Sequence, residues 1–433
     1  MLHDRLAEYR ALDVADDLAR ELRTREVPAA DLRSLARRLL ENGTRRNAVA
    51  LGIVMLGVAG DHRDRELLLL LGSLEDLTLY AAVALANSQQ NRDTAVYELA
   101  QRVDGWGRIH AVERLAGTQD PEIKNWLLRT GFRNRILNEY LAHLAATTGD
   151  LHTALLAPDV DAELLDSTAD LLAALTGWGG PAQDIRHYPD ALPVLARFAE
   201  LLHEAPPTLR IVCAAGSFPQ QLKRAAPKTD WEPTRTSAVI DRYSALLERP
   251  DWRELVVAEL LDPADDFALN QALQCSEAVG FDAYPHALAH LRTGVLSVYA
   301  WQWVAKRTPD HEVAELARLT QEQLPLDEMA SGPLSRNQSR SLWQPEDHIL
   351  EVVLARLDRR SGDVGVPLLR AGIRGRTVRL RSVAIRKLAE VFGPDLPADV
   401  REWVGAAAVA EPDEVVRTEL VKLLERATLD FEQ

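Results

Sequence analysis

The sequence predicts an all-α protein built as a long succession of short helices, and three observations carry that prediction. Asp and Pro stand side by side eight times: Asp120-Pro121, Pro158-Asp159, Pro189-Asp190, Pro250-Asp251, Asp262-Pro263, Pro309-Asp310, Pro394-Asp395 and Pro412-Asp413. Nearly every pair precedes apolar residues at helical spacing. An Asp carboxylate accepts from the free N–H groups of a first helical turn and suits the positive end of the helix dipole. Pro fits the first helical position because it lacks an N–H that the helix could not have used. The second observation is composition: aromatics make up only 6%, while Leu, Ala, Val, Arg and Glu dominate, as in helix interiors. The third is the missing strand alternation. Only residues 208–214 would pass for a strand, and a short buried helix suits them equally well.

The elements follow in order. Residues 1–40 read as two or three helices. Leu32, Leu35, Leu39 and Leu40 form the stripe of the last one, and Asn42-Gly43 ends it. Residues 46–57 are apolar nearly all round, which predicts an inner helix covered on both sides. Gly60-Asp61 stops that helix, and residues 64–71 follow as its partner. Residues 76–86 repeat the inner type about thirty residues later, and residues 106–115 repeat it again. That interval is a helix-pair period. Two segments break the rhythm. Thr176-Gly177-Trp178-Gly179-Gly180-Pro181 opens a loop-rich stretch, and residues 324–345, with Ser331-Gly332-Pro333, read as a linker. The breaks divide the chain into helical repeats over 1–175, less regular repeats over 176–325, a linker or long loop over 326–345, and C-terminal repeats over 346–433.

Composition excludes several classes. A chain of 433 residues suits two or three domains or one elongated array, and an apolar fraction of 47% excludes wholesale disorder. The formal charge of −15 opposes general binding to nucleic acid or anionic membrane, although a local basic patch remains open. Cys213 and Cys275 are too few and too far apart for a disulfide framework or a sulfur-ligated zinc site. Buried free thiols are expected, as in a reducing cytoplasm. The start, Met1-Leu2-His3-Asp4-Arg5, lacks a signal peptide's apolar core, and the longest apolar runs, 67–71 and 406–410, are far too short to span a membrane. A cytoplasmic location is expected.

Near the C-terminus Leu380-Arg381, Ala384-Ile385 and Leu388 align with Val416-Arg417, Leu420-Val421 and Leu424 at an offset of 36. Here the chain resembles bacterial members of the HEAT-repeat superfamily of α-solenoids, in which a second helix often carries a V-R-x-x-A-x-x-x-L pattern. The resemblance covers the last 60 residues best and 44–145 fairly well, and it is loose over 176–250. It implies a right-handed superhelical solenoid of roughly ten or more HEAT-like helix pairs with a long concave surface. It implies no particular activity.

Candidate chemistry is sparse. No phosphate-binding glycine loop, dinucleotide fingerprint, zinc-protease His pair or Cys-pair metal motif occurs. Gly105-Trp106-Gly107 is too short to cradle a phosphate and is expected to turn the chain into a helix that starts near Asp104. The densest stretch runs over 104–150. Trp106, His110, Glu113 and Arg114 share or adjoin one helix face there, and Arg133, Arg135 and Glu139 follow. Arg135 and Glu139 are spaced to pair on a helix. A His beside a carboxylate suits a general base, but ties between stacked repeats explain the same residues, and Trp106 is expected to be largely buried. Asp282, His286 and His290 have ligand-like spacing, yet Asp282 also suits a helix cap and no third strong ligand lies nearby, so no metal is expected. Tyr299, Trp301 and Trp303 form an aromatic cluster expected to be mostly buried between helices.

Residues 356–387 form the one basic island, with ten Arg or Lys against Asp358 and Asp363, a local charge of +8. Arg374, Arg376, Arg379 and Arg381 are its candidate binding residues, suited to bidentate contacts with carboxylate or phosphate. They lack the interleaved aromatics of a base-stacking surface. The expected function is a non-catalytic scaffold or adaptor that needs no cofactor and uses the solenoid's concave surface to bind an unknown protein partner, one whose own surface is acidic. The alternatives are a nucleic-acid enzyme in the manner of the HEAT-like DNA glycosylases and a bilin-lyase-like small-molecule handler.

Overall fold

The computed structural model describes residues 2–25, 27–177, 179–180, 182–340, 342–393 and 396–429. Among them every regular element is helical and no strand occurs. Helices pack mostly on partners one or two places along the chain. The chain forms two compact units, Met1–Trp252 and Arg253–Gln433.

The first unit opens with helices Leu2–Ala7, Ala11–Thr24 and Ala29–Asn42, the last ending at Gly43 as the sequence predicts. Helix Arg46–Ala59 is the inner helix the sequence calls for, with residues 48–53 and 55–57 buried. It lies between Ala29–Asn42 and Glu75–Ser88. Gly57 explains the close fit: a Cβ there would stand 3.1 Å from the Ala84 Cα. Asp120 caps helix Pro121–Trp126 by accepting from Glu122 and Ile123, with Pro121 at the first position. That helix widens into a π-helical turn over Leu127–Gly131. Residues 209–214 are helical. Thr208 caps helix Leu209–Ala225, which packs on Ala162–Thr176.

In the second unit, helix Val298–Arg307 buries Trp301 and Trp303 and leaves Tyr299 exposed. The last helices are Val366–Ile373, Val378–Phe392, Ala398–Ala410 and Glu414–Leu429. Of the apolar positions that align at the offset of 36, Leu380, Ala384, Ile385, Leu388, Val416 and Leu420 are buried, whereas Leu424 is half-buried and Val421 is exposed. Residues 326–340 are docked rather than free. They form short helices Leu326–Met329 and Arg336–Ser339, and the N–H groups of Gly332 and Leu334 donate to the Arg374 and Arg376 carbonyls at 3.2 Å.

The Asp-Pro punctuation marks helix starts in two ways. Asp120 and Asp413 cap directly, whereas Asp161 and Asp265, just beyond their pairs, cap the helices after Pro158-Asp159 and Asp262-Pro263. Pro394-Asp395, Trp178 and Pro181 lie outside the described residues.

Candidate functional site

Asp104 starts helix Gly105–Glu113 by accepting from the Gly105 N–H at 2.7 Å. Gly105 has a φ of +57°, which swings the chain into the helix and favours glycine. The inward face of this helix is taken by Gly105, Gly107, Ile109, Ala111 and Val112. A Cβ on Gly107 would stand 3.0 Å from the Thr78 Oγ1. Because the glycines pack inward, Trp106 turns outward and is 42% exposed, which corrects the expectation that it is largely buried. Its indole meets the Tyr140 ring edge to face at 5.0 Å and lies near the His110 ring at 6.1 Å. The His110 Nδ1 stands 3.7 Å from the Glu113 carboxylate. His110 holds the Glu113 carboxyl below its usual range, against the opposing effect of burial.

The chain beyond the π-helical turn does not continue as a helix through Arg135, so Arg135 and Glu139 are not a helical pair. Arg135 instead reaches the Asp104 carboxylate at 2.8 Å. Asn134 shapes this loop. Its Oδ1 accepts from the Ile136 and Leu137 N–H groups, and its Nδ2 donates to the Phe132 and Leu137 carbonyls. Asn138 accepts from the Asn134 N–H at 3.1 Å. Held this way, Ile136 and Leu137 stand exposed on the surface. Arg133 points elsewhere, sharing Asp170 with Arg210. So Trp106, His110, Glu113 and, through Asp104, Arg135 come together, while Arg133 serves helix packing.

The basic island does not converge. Arg376 pairs with Asp347 at 3.0 Å, and Arg379 pairs with Glu351. Arg381 is 0% exposed and pairs with Glu411, itself 1% exposed, so it faces no groove and the expectation that it binds a partner is corrected. It lies on the helix face that buries Leu380, Ala384 and Leu388. There its guanidinium donates to the Glu411 carboxylate at 2.7 and 2.9 Å and to the Gly375, Arg376 and Leu334 carbonyls. Arg417, its counterpart at the offset of 36, donates to the Glu411 and Pro412 carbonyls, again six and five residues back. Arg374 is exposed on another helix end, near Arg370, and neither side chain has an ion pair among the described residues. Both line a cleft of about 660 Å³ together with Asp399, Glu402 and Trp403. A second cleft of about 650 Å³ is lined by Arg336, Arg340 and Arg379 and by the carboxylates of Asp347 and Glu351.

Elsewhere Asp282 accepts from the Tyr284 N–H, as a cap would, and His286 packs near the Phe281 ring at 5.1 Å. Among the described residues no three His, Cys, Asp or Glu side chains converge as metal ligands. No disulfide joins Cys213 and Cys275; Cys275 is buried and Cys213 half-buried.

Two features escaped the sequence reading. Arginines pair with carboxylates 30 to 33 positions away: Arg33 with Asp64, Arg65 with Glu98, Arg129 with Asp161, Arg307 with Glu277 and Arg381 with Glu411. This ladder repeats the helix-pair period in charge. A capping turn also recurs at Asp61-x-Arg63, Asp184-x-Arg186 and Asp358-x-Arg360, where each Asp accepts from both the N–H and the side chain of its Arg. The Asp-x-Arg spacing was the available signal.

The sequence matches no protein-family model and no curated protein with significance. Among the described residues no helix is long and apolar enough to cross a membrane.

Proposed function

We propose that the chain is a cytoplasmic, non-catalytic protein-interaction scaffold, a right-handed HEAT-like solenoid that holds a protein partner on an exposed surface. The observation that carries this reading is Trp106, an indole left 42% exposed on a helix whose inward face is fully packed. Large aromatics in such positions are typical anchors of protein interfaces. The fate of the charged groups supports it further. Arg356, Arg360, Arg376, Arg379, Arg381 and Lys387 are each engaged with carboxylates of the same chain, so the basic island offers far less free charge than its composition suggests. That weakens a nucleic-acid reading, which needs uncompensated cations along a groove. Attraction to an acidic partner falls to Arg359, Arg370, Arg374 and Arg386, which are exposed and have no ion pair among the described residues. The clefts are lined by charged groups, which does not favour an apolar tetrapyrrole pocket.

The test is crosslinked affinity purification from the native host, comparing the natural chain with Trp106→Ala by quantitative mass spectrometry. A reproducible partner should be captured by the natural chain and lost from the variant, with the melting temperature nearly unchanged. Loss of the fold in the variant, or equal capture by both chains, would remove Trp106 as the anchor.

A further inference from the structure

We infer that the surface around Trp106 receives a cationic segment of a partner protein, with Arg or Lys flanking an aliphatic anchor. The inference rests on the scaffold reading and names the chemistry of its partner. Three observations carry it. Trp106, Ile136 and Leu137 are 42, 37 and 48% exposed. The Ile136 side chain lies beside Gly105, since a Cβ placed there would be 3.9 Å from the Ile136 Cδ1. Ile136 thus sits beside the residue that precedes Trp106 in the helix.

The loop is also rigid before anything binds. The hydrogen bonds of Asn134 and Asn138 fix the backbone of Ile136 and Leu137 in place. A preformed loop loses little freedom on association, and that raises the affinity available from a small apolar contact.

The rim supplies the charge. Glu75 lies against Gly105, Asp104 caps the helix and Glu113 follows His110 on the Trp106 stripe, so three carboxylates stand on the rim against two guanidiniums, that of Arg135 and that of Arg114, which acts on Glu113. Arg135 is itself held on Asp104. Arg108 turns away, with its guanidinium over the Trp126 ring and its Nε on the Val103 carbonyl. The exposed indole face attracts a cation through its quadrupole, and guanidinium stacks there best. The surrounding carboxylates act in the same direction, as does the chain's net charge of −15. An acidic segment would meet repulsion from both.

The probe is a displayed library of random peptides, selected on the full chain and counter-selected on Leu137→Asp. Enriched peptides should carry Arg or Lys on both sides of Leu, Ile or Val. Their affinity, read by fluorescence anisotropy, should fall about ten-fold or more in Trp106→Ala, the loss typical of an interface anchor. Glu75→Lys with Glu113→Lys should also weaken binding and flatten its salt dependence. If Trp106→Ala does not fold, Leu137→Asp and the charge reversals read the same surface. Enrichment of acidic or uncharged peptides, or none that depends on Leu137, would overturn the inference. So would a dimer in analytical ultracentrifugation that Leu137→Asp dissociates, because a second copy would then occupy the surface. A host partner captured equally by the natural chain and Leu137→Asp would leave the scaffold reading standing and defeat only this inference.

Discussion

Replacing Arg381 by Met should destabilise the second unit severely. The natural guanidinium is 0% exposed, pairs with a Glu411 that is 1% exposed, and donates to three carbonyls as well. Methionine keeps much of the volume, so packing loss is small. What remains is a buried carboxylate without its cation. Removing one partner from a buried ion pair typically costs about 3–5 kcal/mol. The Asp413 N–H still donates to Glu411 at 2.9 Å, which places the expected loss toward the lower end of that range. The carbonyls of Gly375, Arg376 and Leu334 each lose a donor and push the loss back up. For a unit of this size each kcal/mol lowers the melting temperature by roughly 2–4 °C, so a fall of about 10 °C is expected. Far-ultraviolet circular dichroism and tryptophan fluorescence, followed through heat and urea, measure it. The double variant Arg381→Met with Glu411→Leu should recover a large part, since it removes both buried charges. A loss below about 1 kcal/mol in the single variant, or no recovery in the double one, would refute the buried-pair argument.

Two further outcomes follow from the same structure. Asp64 is buried. Burial opposes its charge, but hydrogen bonds from Arg33, the Asp61 N–H and Arg37 outweigh that and hold its pKa below the usual carboxylate range. Its contribution to stability is therefore complete above the unfolded value of about 3.9 and is lost as pH falls toward the lower native value. Asp64→Asn should be less stable than the natural chain at neutral pH, with the gap closing in strong acid; a gap independent of pH in urea titrations would contradict the assignment. In the basic island, Arg370→Glu with Arg374→Glu should weaken binding to an acidic protein and flatten its salt dependence, whereas Arg379→Glu should mainly lower stability by facing Glu351. Sub-micromolar binding to duplex or single-stranded DNA at physiological salt, abolished by the reversals at Arg370 and Arg374, would favour a nucleic-acid function instead.

Much of the helical framework was legible because it depends on local chemistry. Asp120 and Asp413 cap where their side chains can reach the next N–H groups, and the apolar run over 46–57 fills an inner helix. The candidate site was legible only in part. The sequence brought Trp106, His110 and Glu113 to adjoining positions of one face, since helical spacing does that unaided. It missed the Asn134 and Asn138 cage, because side chain to backbone bonds in a loop have no periodicity to reveal them. It also joined Arg374, Arg376, Arg379 and Arg381 into one patch, because nearness in sequence ignores which helix, and which face of it, carries each residue.

The sequence by itself determined that this chain is helical, roughly where its helices start and stop, and which apolar residues recur at the helix-pair interval, because capping and periodicity act over a few residues. Only the tertiary structure decided which polar groups are spent inside and which are left for a partner. Arg381 is sealed against Glu411 from the next helix pair, while Trp106 is turned outward as its neighbour Gly107 packs against Thr78. Both outcomes depend on what a neighbouring helix places opposite the side chain, and that is settled by contacts between residues about thirty positions apart.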